Sequence, residues 1–464
     1  MLRNIIAKEL RECIYSYRSL LIFVLSAGLF ATAIYAGARE FQTALEEYRL
    51  ADAAQRQHAA EQTNLFTLAN FGFDLVKPPQ VLSIFVSGVE PHTPRVYNLS
   101  LFTLPEPRGS TSSASPISAL FGTLDLAFIV QVVLGLAALL FTFSAVCGEK
   151  ETGTLKLQLA HALPKDVLLL GKLIGNLVGL LVPVALAFLL SCFLLPVLDG
   201  VTLTGEDVSR IMLLGVDFLL YLAVLFALGI FVSTLTTRAT TAFSLCLVVW
   251  VVLVAIVPKL AVLAARRLSP VESLQEFELR KVEIHRQGSI EAQREYSGYS
   301  KEHHNETPPV SVYFDVVGRV RQKQNQELKQ LEDEYRRQMQ LQQRWALRLS
   351  RLSPAGSMEN AAMSLARTGL ERDQRFQNAL RDYRSEFTRY YDRKGLELVA
   401  LTQDGRISTS AVNQDLTDLP NFQFHEEPFG ASLDAALPDM SFLVIWSMAL
   451  FVAAYFTFLR YDVR

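Results

Sequence analysis

The strongest constraint on this chain is the gathering of its apolar residues into six runs, each long enough to cross a hydrocarbon layer. A spanning helix needs about 20 mainly apolar residues at ~1.5 Å each. Residues 19–37, 119–147, 167–196, 209–235, 240–264 and 439–460 meet that requirement. The expected fold is an all-α integral membrane protein. It has six transmembrane helices, an amphipathic interfacial helix over residues 1–18, and a mostly helical extracytoplasmic domain. Composition agrees, because 50% of the 464 residues are hydrophobic and only 19% are charged, against about 25% charged in soluble domains. A formal net charge of −2 leaves no dominant basic face, which argues against nucleic acid as a partner.

Residues 1–18 put Leu2, Ile5, Ile6, Leu10, Cys13, Ile14 and Tyr17 on one helical stripe, as in a helix lying in the membrane interface. A cleavable signal peptide is the competing reading, since Ala31-Thr32-Ala33 resembles a cleavage site. The apolar run exceeds the usual signal length, which favours an uncleaved anchor.

Two polar segments separate the spans. In residues 38–118, Glu40–Gln62 predicts a helix, while Val81–Val89 and Val96–Leu101 predict short strands bounded by Pro and Gly. In residues 265–438, Ser269-Pro270 and Ser353-Pro354 read as helix starts with Pro just inside. Phe314–Ser350 predicts a long amphipathic helix, with Met358–Lys394 as its antiparallel partner.

Short loops set the orientation. Arg3, Lys8, Arg11, Arg18, Lys150, Lys156, Lys165, Arg238, Arg460 and Arg464 fall on one side, and Asp199–Val208 on the other has neither Lys nor Arg. Lys259, Arg266 and Arg267 break the pattern at the head of a long polar segment, where this is tolerated. Basic residues near span ends stay cytoplasmic, so both termini and the 148–166 hinge are expected in the cytoplasm. The two polar segments are then extracytoplasmic. Cys13, Cys147, Cys192 and Cys246 lack an exposed oxidising location and zinc-site spacing, so neither a disulfide framework nor a metal centre is expected.

The hinge, Gly148–Leu170, is charged yet carries Leu155, Leu157 and Leu159. It reads either as an ordinary cytoplasmic loop or as a short helix offered to a soluble partner. No phosphate-binding loop or hydrolase motif is present, so the chain has no visible means of hydrolysing ATP and is not expected to be an enzyme. Ionisable groups inside spans are functional candidates by default. Asp217, Gln131 and Asp125 could line a substrate path, or could simply bond helix to helix, Asp217 with Tyr221 or with a partner subunit. Gly171, Gly175 and Gly179 form overlapping small-xxx-small steps that allow close helix packing. His303-His304 beside Glu302 and Glu306 offers a weak metal reading.

The six spans, the interfacial helix and the hinge GEKETGTLKLQLAHALPKDVLLLGKLIGN resemble ABC-2-type ABC-transporter permeases. Val76–Pro91 and Arg351–Gly369 carry the likeness to a subgroup with large insertions after the first and fifth spans. The resemblance implies that Glu149, Glu151, Gly153, Thr154, Leu155 and Leu159 contact a separate ATP-binding subunit. ATP and Mg would bind in that partner, with no cofactor on this chain. It further implies an exporter in the bacterial inner membrane, with a second permease chain, identical or paralogous. Membrane lipid surrounds the spans, and a periplasmic partner is possible. A mechanotransmission subunit that moves nothing across the membrane and a plain scaffold are the alternatives.

Overall fold

The computed structural model describes residues 11, 17–61, 64–101, 105–108, 125–155, 165–198, 200–302, 310–401, 416 and 418–460. The interfacial helix, apart from residues 11, 17 and 18, and His303-His304 lie outside them. Among the described residues, six helices are long and apolar enough to cross a membrane. The all-α class therefore holds, with one small three-stranded sheet added.

The first span belongs to α1 (Tyr17–Glu61), which runs unbroken for 45 residues into the polar domain, or ~67 Å at helical rise. A short helix α2 (Leu65–Phe71) leads to strand β1 (Phe73–Val76). β1 pairs antiparallel with β2 (Val96–Leu99), and β2 with β3 (Glu106–Arg108). Val81–Val89 is not the expected strand. Its start is a 3₁₀ turn over Val81–Ile84, with Leu82, Ile84, Phe85 and Val86 all buried. A strand with one solvated face could not bury consecutive side chains in this way, and the preceding Pro78-Pro79 cannot donate to a ladder.

The second span is helical from Leu126, loosens into a π segment at Ile129–Leu134 and continues as α3 (Gly135–Thr142). A turn then leads into the hinge helix α4 (Cys147–Thr152). The remaining spans are α5 (Lys165–Cys192), α6 (Gly205–Leu235), α7 (Ala239–Trp250) with its continuation α8 (Val257–Leu268), and α13 (Phe429–Leu459). Between α8 and α13 stand α9 (Leu274–Glu302), α10 (Val310–Ser350), α11 (Pro354–Ala366) and α12 (Leu370–Leu401).

Two expectations for this region need correction. The helix after Ser269 starts not at Pro270 but at Leu274, where Ser273 and Glu276 form a reciprocal cap. Met358–Lys394 is not one helix either. It breaks at Arg367, whose backbone is left-handed with φ 56°. The antiparallel partner of α10 is instead α9, with Phe277 stacked on Tyr335 at 4.3 Å and Lys323 bonded to Glu291 at 2.8 Å.

Helix α11 has the opposite fate from its neighbours. Small residues (Ala355, Ala361, Ala362, Ala366) let it sink into the bundle core, where it packs with Met358 and Leu365 among α6 and α13. Residues 251–256 form a π segment just before Pro258. In that geometry Leu253 O would receive an N–H from residue 258, and proline has none. The Ser353 hydroxyl donates to Leu253 O instead, while Ser353 Oγ itself accepts from Ala355 N at 3.1 Å to cap α11. Pro183 inside α5 similarly frees Gly179 O, and Ser19 Oγ of α1 lies 3.5 Å from it. Gly171, Gly175 and Gly179 are all buried within the chain, and Gly179 lies against the first span.

Both polar segments share one core. α12 lays Phe376, Leu380, Tyr383 and Phe387 against Leu75, Tyr97 and Leu99 of the sheet. The joint is ionic as well. Arg372 is 4% exposed and donates to Glu90 at 3.0 Å, to Glu426 at 2.6 Å and to Pro78 O at 2.8 Å. Lys77 lies 3.4 Å from Asp373, and Val89 N donates to Thr368 O at 3.0 Å. The stretches Val76–Pro91 and Arg351–Gly369 therefore meet in space.

Candidate functional site

The end of the bundle opposite the polar domain carries the hinge. α4 is short because Gly153 follows it with φ 76°, a left-handed turn open to glycine at no steric cost. Three side chains then fasten it to other spans. Ser233 Oγ of α6 accepts from both Val146 N and Cys147 N at 3.0 Å, satisfying the first amides of the hinge helix. Lys150 Nζ donates to Thr234 O at 2.5 Å and Thr236 O at 3.1 Å, where α6 ends and its carbonyls lack helical donors. Glu151 accepts from Ala239 N at 3.0 Å, at the positive start of α7.

Of the residues that the family resemblance assigns to partner contact, Glu151 and Thr154 are exposed, and Glu149 and Gly153 are half-buried. Leu155 differs: it is 1% exposed and packs with Val146 and Phe458, where α13 ends. Its side chain holds the hinge to the last span and is not on the surface, so it drops out of the contact face. Leu159 lies outside the described residues.

The candidate path residues do not converge. Asp125 caps the second span, accepting from Phe128 N at 2.8 Å and from Ser87 N and Oγ at 2.9 and 2.8 Å. It fastens the first polar segment to the bundle mouth. Gln131 contributes its backbone: the π segment offers Gln131 O to the Tyr221 hydroxyl at 2.9 Å. That bond uses the hydroxyl suggested for Asp217. Asp217 itself is fully buried, and neither carboxyl oxygen has a hydrogen-bond partner among the described residues.

Other polar groups near that level were not singled out in the sequence. Arg351 binds Asp439 of α13 through two bonds at 2.7 and 3.0 Å. Asn360 donates to Ser350 Oγ at 2.9 Å. Arg210 of α6 is fully buried, donates to Leu365 O at 3.2 Å and Glu427 O at 3.0 Å, and lies over the Phe429 ring. Arg367 reaches Asp207 at 2.8 Å. Together these groups clamp both ends of α11 into the mouth of the bundle. An arginine and an aspartate at the edges of apolar runs were the available signals, and both stand at span ends where charge is ordinarily solvated. Among the described residues no cluster suits a metal ion.

This arrangement contains a handle wired to several spans and a buried polar seam at the far end. No curated protein matches the chain. The family model described as ABC-2 family transporter protein matches residues 3–463. The chain is thus a multi-pass membrane protein of the ABC-2 transporter family, a permease.

Proposed function

We propose that this permease is the membrane subunit of an ATP-driven exporter in the bacterial inner membrane, worked by a separate ATP-binding subunit docked on the hinge. The hinge end is then cytoplasmic and the polar domain extracytoplasmic. The docking face comprises Glu149, Glu151, Gly153 and Thr154, continued by Leu159. The observation that carries the reading is the fastening of α4. Through Ser233, Lys150, Glu151 and Leu155 a push on the hinge reaches α6, α7 and α13 together. ATP and its metal belong to the partner, and a second permease chain completes the assembly.

The test is chemical crosslinking. A T154C variant is expected to crosslink to a nucleotide-hydrolysing companion purified with it, and paired charge reversal at Glu149 and Glu151 is expected to release that companion. If no such companion purifies or crosslinks, the reading fails.

A second reading, mechanotransmission, is favoured by one feature. Helix α1 is continuous from the membrane into the polar domain, so movement of the first span tilts that domain directly. Asp217→Asn separates the two readings: under the exporter reading it lowers flux while ATPase coupling persists.

A further inference from the structure

In the polar domain an open cleft of about 570 Å³ lies between the α9–α10 hairpin and the α12 face. That is within the ~300–1,000 Å³ typical of small-molecule sites. One wall is the stacked pair Phe277 and Tyr335, flanked by Leu274 and Met339, and Leu380 lies on the α12 wall. The lining is mainly apolar, so a ligand must bring an apolar body.

The charged residues around the cleft are unequally engaged. Glu278 pairs with Lys281 at 3.5 Å. Asp373 is held by Lys77 at 3.4 Å and by Gln377 at 2.8 Å. Burial pushes the Glu332 carboxyl above its usual range, against the pull of Arg381, Lys281 and Arg384. Each of these acids thus has a basic or amide neighbour of its own, Glu332 in Arg381 at 3.7 Å. Two guanidinium groups are less fully engaged. Arg381 Nη2 is buried with no hydrogen bond, its Glu332 contact standing at 3.7 Å. Arg336 lines the cleft with no ion pair among the described residues.

We propose that this cleft binds a small amphipathic anion, its apolar body against Phe277, Tyr335 and Leu380 and its carboxylate or phosphate head on Arg336 and Arg381. The planar guanidinium fork suits such two-oxygen heads. An inorganic anion leaves the apolar walls uncovered, and a cation of equal length leaves the arginine donors unused. The site goes beyond the coupling reading and stands whether or not a companion ATPase docks on the hinge.

The experiment titrates the full chain in phosphatidylcholine nanodiscs by calorimetry, with empty nanodiscs as blank. The probes are octyl phosphate, octanoate, octyltrimethylammonium and inorganic phosphate. One saturable site per chain is expected for octyl phosphate or octanoate, and the head that binds more tightly identifies the anion. No saturable binding is expected for the other two. Arg336→Gln, which breaks no bond of the fold, is expected to weaken binding about tenfold, the loss of one charge-assisted contact. Arg336→Gln with Arg381→Gln is expected to abolish it. Equal binding of octyltrimethylammonium, unaltered affinity in Arg336→Gln, or absence of saturable binding by both octyl anions would overturn the proposal.

Discussion

Asp217 is the residue whose replacement says most about the bundle. It sits inside α6 with 0% exposure and two carboxyl oxygens that find no partner among the described residues. A buried polar group left unsatisfied costs about 1–3 kcal/mol in proteins, and an apolar group of the same size removes that cost without opening a cavity. Asp217→Leu is therefore expected to stabilise the chain by about 1–3 kcal/mol. Asp217→Asn, which keeps the polarity, is expected to gain less. The assay is thermal unfolding of the purified chain in nanodiscs, run beside ATPase and transport measurements on the assembled complex. A variant that melts higher yet has lost flux identifies a carboxyl retained for function at the expense of stability. Were Asp217→Leu to destabilise by the 3–5 kcal/mol seen when one member of a buried charge pair is removed, Asp217 would have a native partner, and the reasoning would be refuted.

Further outcomes follow from other contacts. Arg372→Ala leaves Glu90 buried with only Lys77 at 3.8 Å, so a loss of about 3–5 kcal/mol is expected; pairing Arg372→Met with Glu90→Gln should recover much of it, read by proteolysis of the polar domain. Gly229→Ala would place a methyl carbon 2.9 Å from Thr142 Cβ, and overpacking of about 1–3 kcal/mol is expected; a melting temperature equal to that of the natural chain would show that α3 and α6 yield freely. Burial raises the Glu332 pKa, so the folded chain binds a proton that the unfolded chain releases. Stability from this group is complete below its unfolded value, near pH 4.3, and declines as pH rises toward the folded value. Glu332→Gln should flatten that decline, and parallel pH–melting curves for the two proteins would contradict the assignment.

The spans were legible because hydrocarbon burial demands long apolar runs, and nothing local competes with that signal. Ser353-Pro354 was legible for a similar reason: an N-cap and a proline act on their immediate neighbours. What escaped was decided at long range. α11 reads as the start of a long amphipathic helix, and only its contacts with α6 and α13 draw its alanines inward. Leu155 looked like part of a docking surface because its sequence neighbours are charged, whereas Phe458, some three hundred positions later, claims it. The Val81 stretch has strand-like composition, yet consecutive apolar residues all had a buried place to go. Lys150 and Ser233 carry no motif, since their partners are backbone groups whose availability depends on where α6 ends.

The shared core of the two polar segments sets a timetable for biogenesis. Lys77 and Asp373 are separated by 296 positions, so the sheet leaves the ribosome well before the helix that covers it. At ~5–20 residues per second that interval lasts about 15–60 s. Throughout it, Leu75, Tyr97 and Leu99 lack their lid. A nascent chain stalled before residue 370 should therefore recruit holding chaperones, and release them once α12 arrives.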